Sequence, residues 1–151
     1  MSAGGRPGPS LLYAVKRLEL AVRARLDEML RGSGVTTLQY TALTVLRHRD
    51  GVSAAQLARD SFVTPQSMAD MLRALESRGL ISRSPNPVNR RELLVHLTAQ
   101  ARAFLADYDE RAAALERRLT DALRPEEAAA LRTALTAAWE AVRTPLPPTA
   151  D

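Results

Sequence analysis

The segment from Ser53 to Leu97 constrains this chain most. Two short helical patterns lie on either side of a three-residue turn, and two strand-like runs follow. Ser53, with Gln56 three positions on, has the form of a capping box: the serine accepts from a free helical N–H and the glutamine reaches back. Leu57 and Ala58 are the inward positions of that helix, and Ser61-Phe62-Val63 make the turn. Thr64 then precedes Pro65; threonine is a good N-cap, and proline at the first helical position gives up no hydrogen bond. Met68, Met71, Leu72 and Leu75 fall on one face of the second helix, and Gly79 ends it. The strand-like runs are Leu80 to Ser84 and Glu92 to Leu97. In the latter, Leu93, Val95 and Leu97 alternate with Glu92, Leu94 and His96. Between them, Pro85-Asn86-Pro87-Val88-Asn89-Arg90-Arg91 reads as a proline-stiffened hairpin loop ending in two adjacent arginines.

Helical patterns surround this segment. Ser10 can cap a first helix in which Leu11, Val15, Leu18, Val22, Leu26, Met29 and Leu30 recur at helical spacing, and Gly32 and Gly34 end it. A second helix is expected from about Thr37 to Arg49, with Leu38, Ala42, Val45 and Leu46 inward, followed by an Asp50-Gly51 turn. After the hairpin, Thr98 caps a long fifth helix to about Leu123, with Phe104, Leu105, Tyr108, Ala112, Leu115 and Leu119 on one side. Pro125 begins a sixth; Glu126 and Glu127 suit the positive end of its dipole, and Leu131, Leu135, Ala138 and Val142 form its stripe. The fold class is therefore mostly α with a small β-hairpin wing: a winged helix-turn-helix within a six-helix frame. The expected organisation is one domain. Residues 1–10 are a tail, 11–35 an N-terminal dimerisation helix, 36–98 the winged helix-turn-helix, 99–144 the C-terminal dimerisation helices and 145–151 a second tail.

Composition narrows the function. A chain of 151 residues can bury a core without cross-links. The absence of cysteine excludes disulfides, thiolate metal sites and thiol redox sensing, and with only His48 and His96 no metal site is expected. No cofactor is called for, and neither a nucleophile–base arrangement nor a Gly-rich phosphate loop points to an enzyme. No apolar run approaches the roughly 20 residues of a membrane span, and the first ten residues lack the apolar centre of a signal peptide. A soluble, cytoplasmic chain with no membrane partner is expected. Between Thr36 and Phe104 there are nine arginines against five acids, a surplus of four that equals the whole-chain net charge of +4. A basic middle between balanced flanks suits a polyanion.

The two features together point to double-stranded DNA. The fourth helix would enter the major groove, where base edges carry a readable pattern, with Gln66 and Ser67 at its N-terminal end and Asp70, Arg73 and Ser77 along its polar face. Ser53 and Thr64 stand at the starts of the two helices and Arg83 on the first strand. Asn89, Arg90 and Arg91 on the hairpin suit a minor groove.

These residues resemble the MarR family of regulators. The resemblance is carried by Thr37-Leu38-Gln39-Tyr40-Thr41-Ala42-Leu43, Ser53-Ala54-Ala55-Gln56-Leu57-Ala58, Val63-Thr64-Pro65-Gln66-Ser67-Met68 and Leu75-Glu76-Ser77-Arg78-Gly79-Leu80-Ile81-Ser82-Arg83, then Asn89-Arg90-Arg91 and Leu97-Thr98. It covers about Thr36 to Phe104, and the six-helix plan extends it over most of the chain. It implies a triangular homodimer joined by its terminal helices, bound to a pseudo-palindromic operator, and repression relieved by a small, often aromatic, ligand. Two positions depart from the family. Asn89 stands where an aspartate usually forms a salt bridge that steadies the wing, and Asp70 stands where a basic residue is common. Arg91 keeps the place of the groove-inserting arginine.

Apolar stripes on the first, fifth and sixth helices fit a two-fold dimer, which would set two reading helices roughly 34–36 Å apart, one turn of DNA. A pocket for the effector is expected where the frame meets the DNA-binding unit, from Tyr13, Arg17, Tyr40 and His48, with Trp139 as a further candidate: arginine for a carboxylate, aromatics for a ring. The competing expectation is a winged-helix module that meets protein or non-specific DNA.

Overall fold

The computed structural model describes residues 8–143, and the remainder of the two expected tails lies outside the described residues. The element order is α1 (Leu11–Leu30), α2 (Thr37–His48), β1 (Val52–Ser53), α3 (Ala54–Asp60), α4 (Pro65–Ser77), β2 (Ile81–Pro85), β3 (Leu93–Leu97), α5 (Ala99–Thr120) and α6 (Pro125–Val142). These are the six helices and the hairpin expected from the sequence. Two compact units divide at Arg111 and Ala112, with α5 running from one into the other.

Hydroxyl side chains set most of the helix starts in the first unit. Ser10, Thr36, Ser53, Thr64 and Thr98 each accept from a backbone N–H three residues on, at 3.1–3.2 Å. The complete capping box is at Thr36, where Gln39 also accepts from the Thr36 N–H. The one expected at Ser53 is only half formed. The Gln56 amide turns along its own helix instead, donating to Asp60 Oδ1 at 2.9 Å and accepting from Arg59 at 2.7 Å, so charged neighbours hold it.

The core of this unit is Leu30 and Val35, then Tyr40, Ala42, Leu43 and Leu46 of α2, Leu57 and Ala58 of α3, and the four expected positions of α4. Leu80, Ile81, Val95, Leu97, Ala101 and Leu105 complete it. The inner face of α2 is rotated from the expected one. Tyr40 and Leu43 are buried, whereas Leu38 is exposed, because the packed stripe runs 40, 43, 46 at helical spacing. Of the α1 stripe only Leu30 is buried; Leu26 and Met29 pack against the core, and Leu11 and Val15 are exposed.

The hairpin gains a third strand. β3 is central, antiparallel to both β1 and β2, with Val52 opposite Val95 and Ile81 opposite Leu97. Val95 and Leu97 point into the core as the alternation predicts. Leu93 does not: it lies opposite Pro85 at the far end of the ladder, where no core remains beneath it, and is exposed. An Asp50–His96–Ser84 chain locks the three segments together. Ser84 Oγ lies 2.8 Å from His96 Nε2, His96 Nδ1 3.2 Å from Asp50 Oδ2, and Asp50 Oδ1 accepts the Leu97 N–H at 2.8 Å. Gly51 is required beside it. It has φ +74°, and a Cβ there would come within 3.1 Å of the His96 ring.

In the second unit, Pro125 opens α6 with Glu126 and Glu127 in its first turn, as expected. The Arg124 side chain and backbone N–H both bond the Glu127 carboxylate, which holds its pKa below the ordinary value. Arg132 joins α6 to Glu116 of α5 at 2.7 Å. No residue of α6 is buried: Leu131 is half-buried, and Leu135, Ala138 and Val142 are exposed.

Candidate nucleic-acid interface

Helix α4 separates its two kinds of residue cleanly. Met68, Met71, Leu72 and Leu75 are buried, and Gln66, Ser67, Asp70, Arg73 and Ser77 are exposed on the opposite side. The four apolar anchors fix the rotation of the helix, so the polar face is presented by packing and not by chance. Its start is equally fixed. Thr64 Oγ1 accepts from the Ser67 N–H at 3.1 Å and donates to Ser67 Oγ at 3.0 Å, which leaves the Ser67 O–H able to donate and Gln66 exposed beside it. Arg73 is not a free cation: it is paired with Asp70, one turn before it on the same face. The two side chains, 64% and 61% exposed, therefore present a dipole instead of two separate charges.

Ser53 sits at the junction of β1 and α3, half-buried, with its hydroxyl used as the cap. Arg83 on β2 is three-quarters buried and pairs with Glu76 of α4 at 2.8 Å, which ties the sheet to the helix. Neither protrudes as Gln66 does.

The loop between β2 and β3 is pinned by its two asparagines. Asn86 N–H donates to the Glu92 carbonyl at 3.1 Å, its amide donates to Glu92 Oε2 at 3.3 Å, and its Oδ1 accepts from the Val88 N–H at 2.9 Å. Asn89 Oδ1 accepts from the Arg91 N–H at 3.2 Å, and its carbonyl accepts from the Glu92 N–H at 3.0 Å. The uncharged Asn89 thus steadies the tip through backbone bonds at the position where the family's aspartate uses a salt bridge. Arg90 and Arg91 are exposed, and neither has an ion pair among the described residues.

The residues considered for an effector are dispersed. Arg17 lies over the Tyr13 ring, 5.6 Å from its centroid, on exposed turns of α1. Tyr40 is 6% exposed within the core, and burial raises its phenol pKa above the ordinary value. His48 is exposed at the end of α2. Among the described residues, no hydrogen bond, ion pair or ring contact joins Tyr13 or Arg17 to Tyr40 or His48. Trp139 belongs to the second unit, with the Arg143 guanidinium 4.9 Å from its ring.

Two features of this region are not legible in the sequence. The Asp50–His96–Ser84 chain joins three separate segments, so no spacing announces it. Phe62, an exposed aromatic in the turn between α3 and α4, has a left-handed backbone with φ 61°, a conformation that a bulky residue rarely adopts.

Comparison with known proteins agrees with this geometry. Residues 35–93 match the profile described as the MarR family. The HTH-type transcriptional repressor Rv2887 of Mycobacterium tuberculosis is 35% identical over 92 residues, 61% of this chain and 66% of the repressor, so the match spans just under two thirds of that relative's own length. The HTH-type transcriptional regulator MT0903.1 of the same species is 32% identical over 132 residues, 82% of this chain and 90% of the relative. Among solved structures, the transcriptional repressor CouR bound to a 23-mer DNA duplex superposes with a TM-score of 0.76 at 30% identity, covering 91% of this chain and 97% of CouR. No helix among the described residues is long and apolar enough to cross a membrane. On fold, residue order and sequence likeness alike, the chain belongs to the MarR family of transcriptional regulators.

Proposed function

We propose that the protein is a sequence-specific repressor that binds a pseudo-palindromic operator as a homodimer. α4 lies in the major groove and the β2–β3 loop in the flanking minor groove. The observation that carries this reading is the division of α4, whose apolar anchors hold Gln66 and Ser67 outward, together with a pinned loop whose two arginines have no ion pair among the described residues. Gln66 and Ser67 read base edges; Thr64 orders the helix start against phosphate; Arg90 and Arg91 supply the groove contact of the wing. Ser53 and Arg83 act from behind, one by capping α3 and the other by fixing α4 to the sheet. The names of Rv2887 and CouR as repressors favour repression over activation.

The terminal helices support the dimer. Leu11, Leu12, Val15 and Leu20 of α1 and Leu135 and Val142 of α6 are exposed, and α6 buries nothing of its own. Large apolar side chains left exposed in number on each of these two helices suit an interface. The effector is a small anion with a ring, and the Tyr13–Arg17 pair on α1 is the element best suited to meet it.

A gel shift on the promoter beside the protein's own gene tests the reading. Saturable binding that competitor DNA of unrelated sequence does not remove is expected. Affinity that depends on salt but not on sequence would favour the non-specific module instead.

A further inference from the structure

We propose that Val88 is the residue by which the wing tells A·T from G·C: it is set into the minor groove beside Arg90 and Arg91 and excludes the exocyclic amine of guanine. It rests on the DNA-binding reading above. Val88 is 93% exposed, more than any other large apolar residue described. Its backbone is held in place. Pro85 and Pro87 fix the backbone on both sides of Asn86, and the Val88 N–H is held by Asn86 Oδ1 at 2.9 Å. A tip ordered in this way loses little freedom when it is docked. The two free arginines that follow it bring the tip to a polyanion and not to an apolar partner.

The chemistry of the tip decides what the groove floor must look like. In the minor groove, A·T pairs present only acceptors, and G·C pairs add the guanine N2 donor. Arg90 and Arg91 can only donate. Asn86 Oδ1 and Asn89 Oδ1 are turned to the Val88 and Arg91 N–H groups, and the Glu92 carboxylate stands at the base of the loop, bonded to the Asn86 amide beside the Pro85–Leu93 ladder pair. A guanine amine under Val88 would therefore lose its water against methyl groups that offer it no acceptor, whereas the acceptors of an A·T floor are served by the arginines.

The test uses the full chain and the duplex it recovers by selection from a randomised library. The minor-groove steps protected from hydroxyl-radical cleavage locate the wing. Three versions of the duplex carry A·T, G·C or inosine·C there; inosine keeps the pairing of guanine without its amine. The wild type is expected to bind the G·C version about tenfold more weakly than the other two. V88S narrows that ratio to about twofold, and V88I keeps it. The V88S salt slope stays that of the wild type, whereas R91A lowers it by about 1. Full discrimination retained by V88S would overturn the role of Val88, as would a wild type that treats inosine·C and G·C alike. With either result, an R91A that still loses affinity leaves the DNA-binding reading standing. A wild type that recovers no preferred duplex removes both.

Discussion

Asp70 is the residue whose replacement should improve binding. It is an acid on the outward face of α4, 61% exposed, and it neutralises Arg73 one turn on. Asp70→Asn keeps the shape and removes the charge. Within the fold the cost is small, because an exposed pair three residues apart contributes only about 0.3–0.5 kcal/mol. On DNA two effects have the same sign: one negative charge leaves the phosphates, and Arg73 is freed to meet them. Counting them together as one added phosphate neutralised, the dependence of log K on log salt steepens by about 0.9 per half-site. Between about 1 M and about 0.15 M salt that amounts to about fivefold tighter binding, and about 25-fold if both protomers of a dimer engage. Fluorescence anisotropy of a labelled operator, titrated at several salt concentrations, reads both the affinity and the slope. Unchanged affinity and slope would refute the placement of this face of α4 against DNA. A loss confined to the selected site, with a gain on unrelated duplexes, would instead make Asp70 a reader that accepts from a cytosine amine.

Other consequences follow from the same geometry. Gln66→Ala should cost about 1–3 kcal/mol at one base pair and relax preference there, as read by binding to single-substitution duplexes; an equal loss on every duplex would make Gln66 a phosphate contact. Leu135→Asp on the exposed stripe of α6 should shift the protein from dimer to monomer in sedimentation, and an unchanged dimer would move the interface elsewhere. Burial raises the Tyr40 phenol above its ordinary pKa. The folded state thus holds that proton more tightly than the unfolded chain. The associated stability is complete below about pH 10 and is lost as pH rises through the elevated value. Tyr40→Phe should flatten that alkaline decline in melting temperature; an identical decline would assign it to other groups.

Much of the architecture could be read from local signals, because local chemistry causes it. Thr64 before Pro65, the four apolar positions of α4 and Gly79 define the reading helix without reference to anything distant. Thr98 and Pro125 mark the starts of α5 and α6 in the same way. Where two local rules competed, spacing alone chose wrongly. Ser53 and Gln56 have the letters of a capping box, yet Asp60 and Arg59 take the glutamine, while the complete box formed at Thr36 and Gln39. Leu38 satisfied the apolar periodicity of α2 but faces outward, since rotation about a helix axis is settled by what packs against it.

The order of elements and the residues at the helix start and loop tip follow from neighbours a few positions apart, and the basic middle follows from composition, so all three are legible without coordinates. Tertiary structure decided which of those residues have free charge or free hydrogen-bonding capacity. It paired Arg73 with Asp70 and Arg83 with Glu76, left Arg90 and Arg91 without an ion pair among the described residues, and buried Tyr40. It also added β1 to the hairpin and closed the Asp50–His96–Ser84 chain across three segments. The physical reason is the range of the interactions. Caps, turns and periodicity act over three or four residues, whereas an ion pair or a buried face depends on which distant surfaces folding brings within a few ångströms.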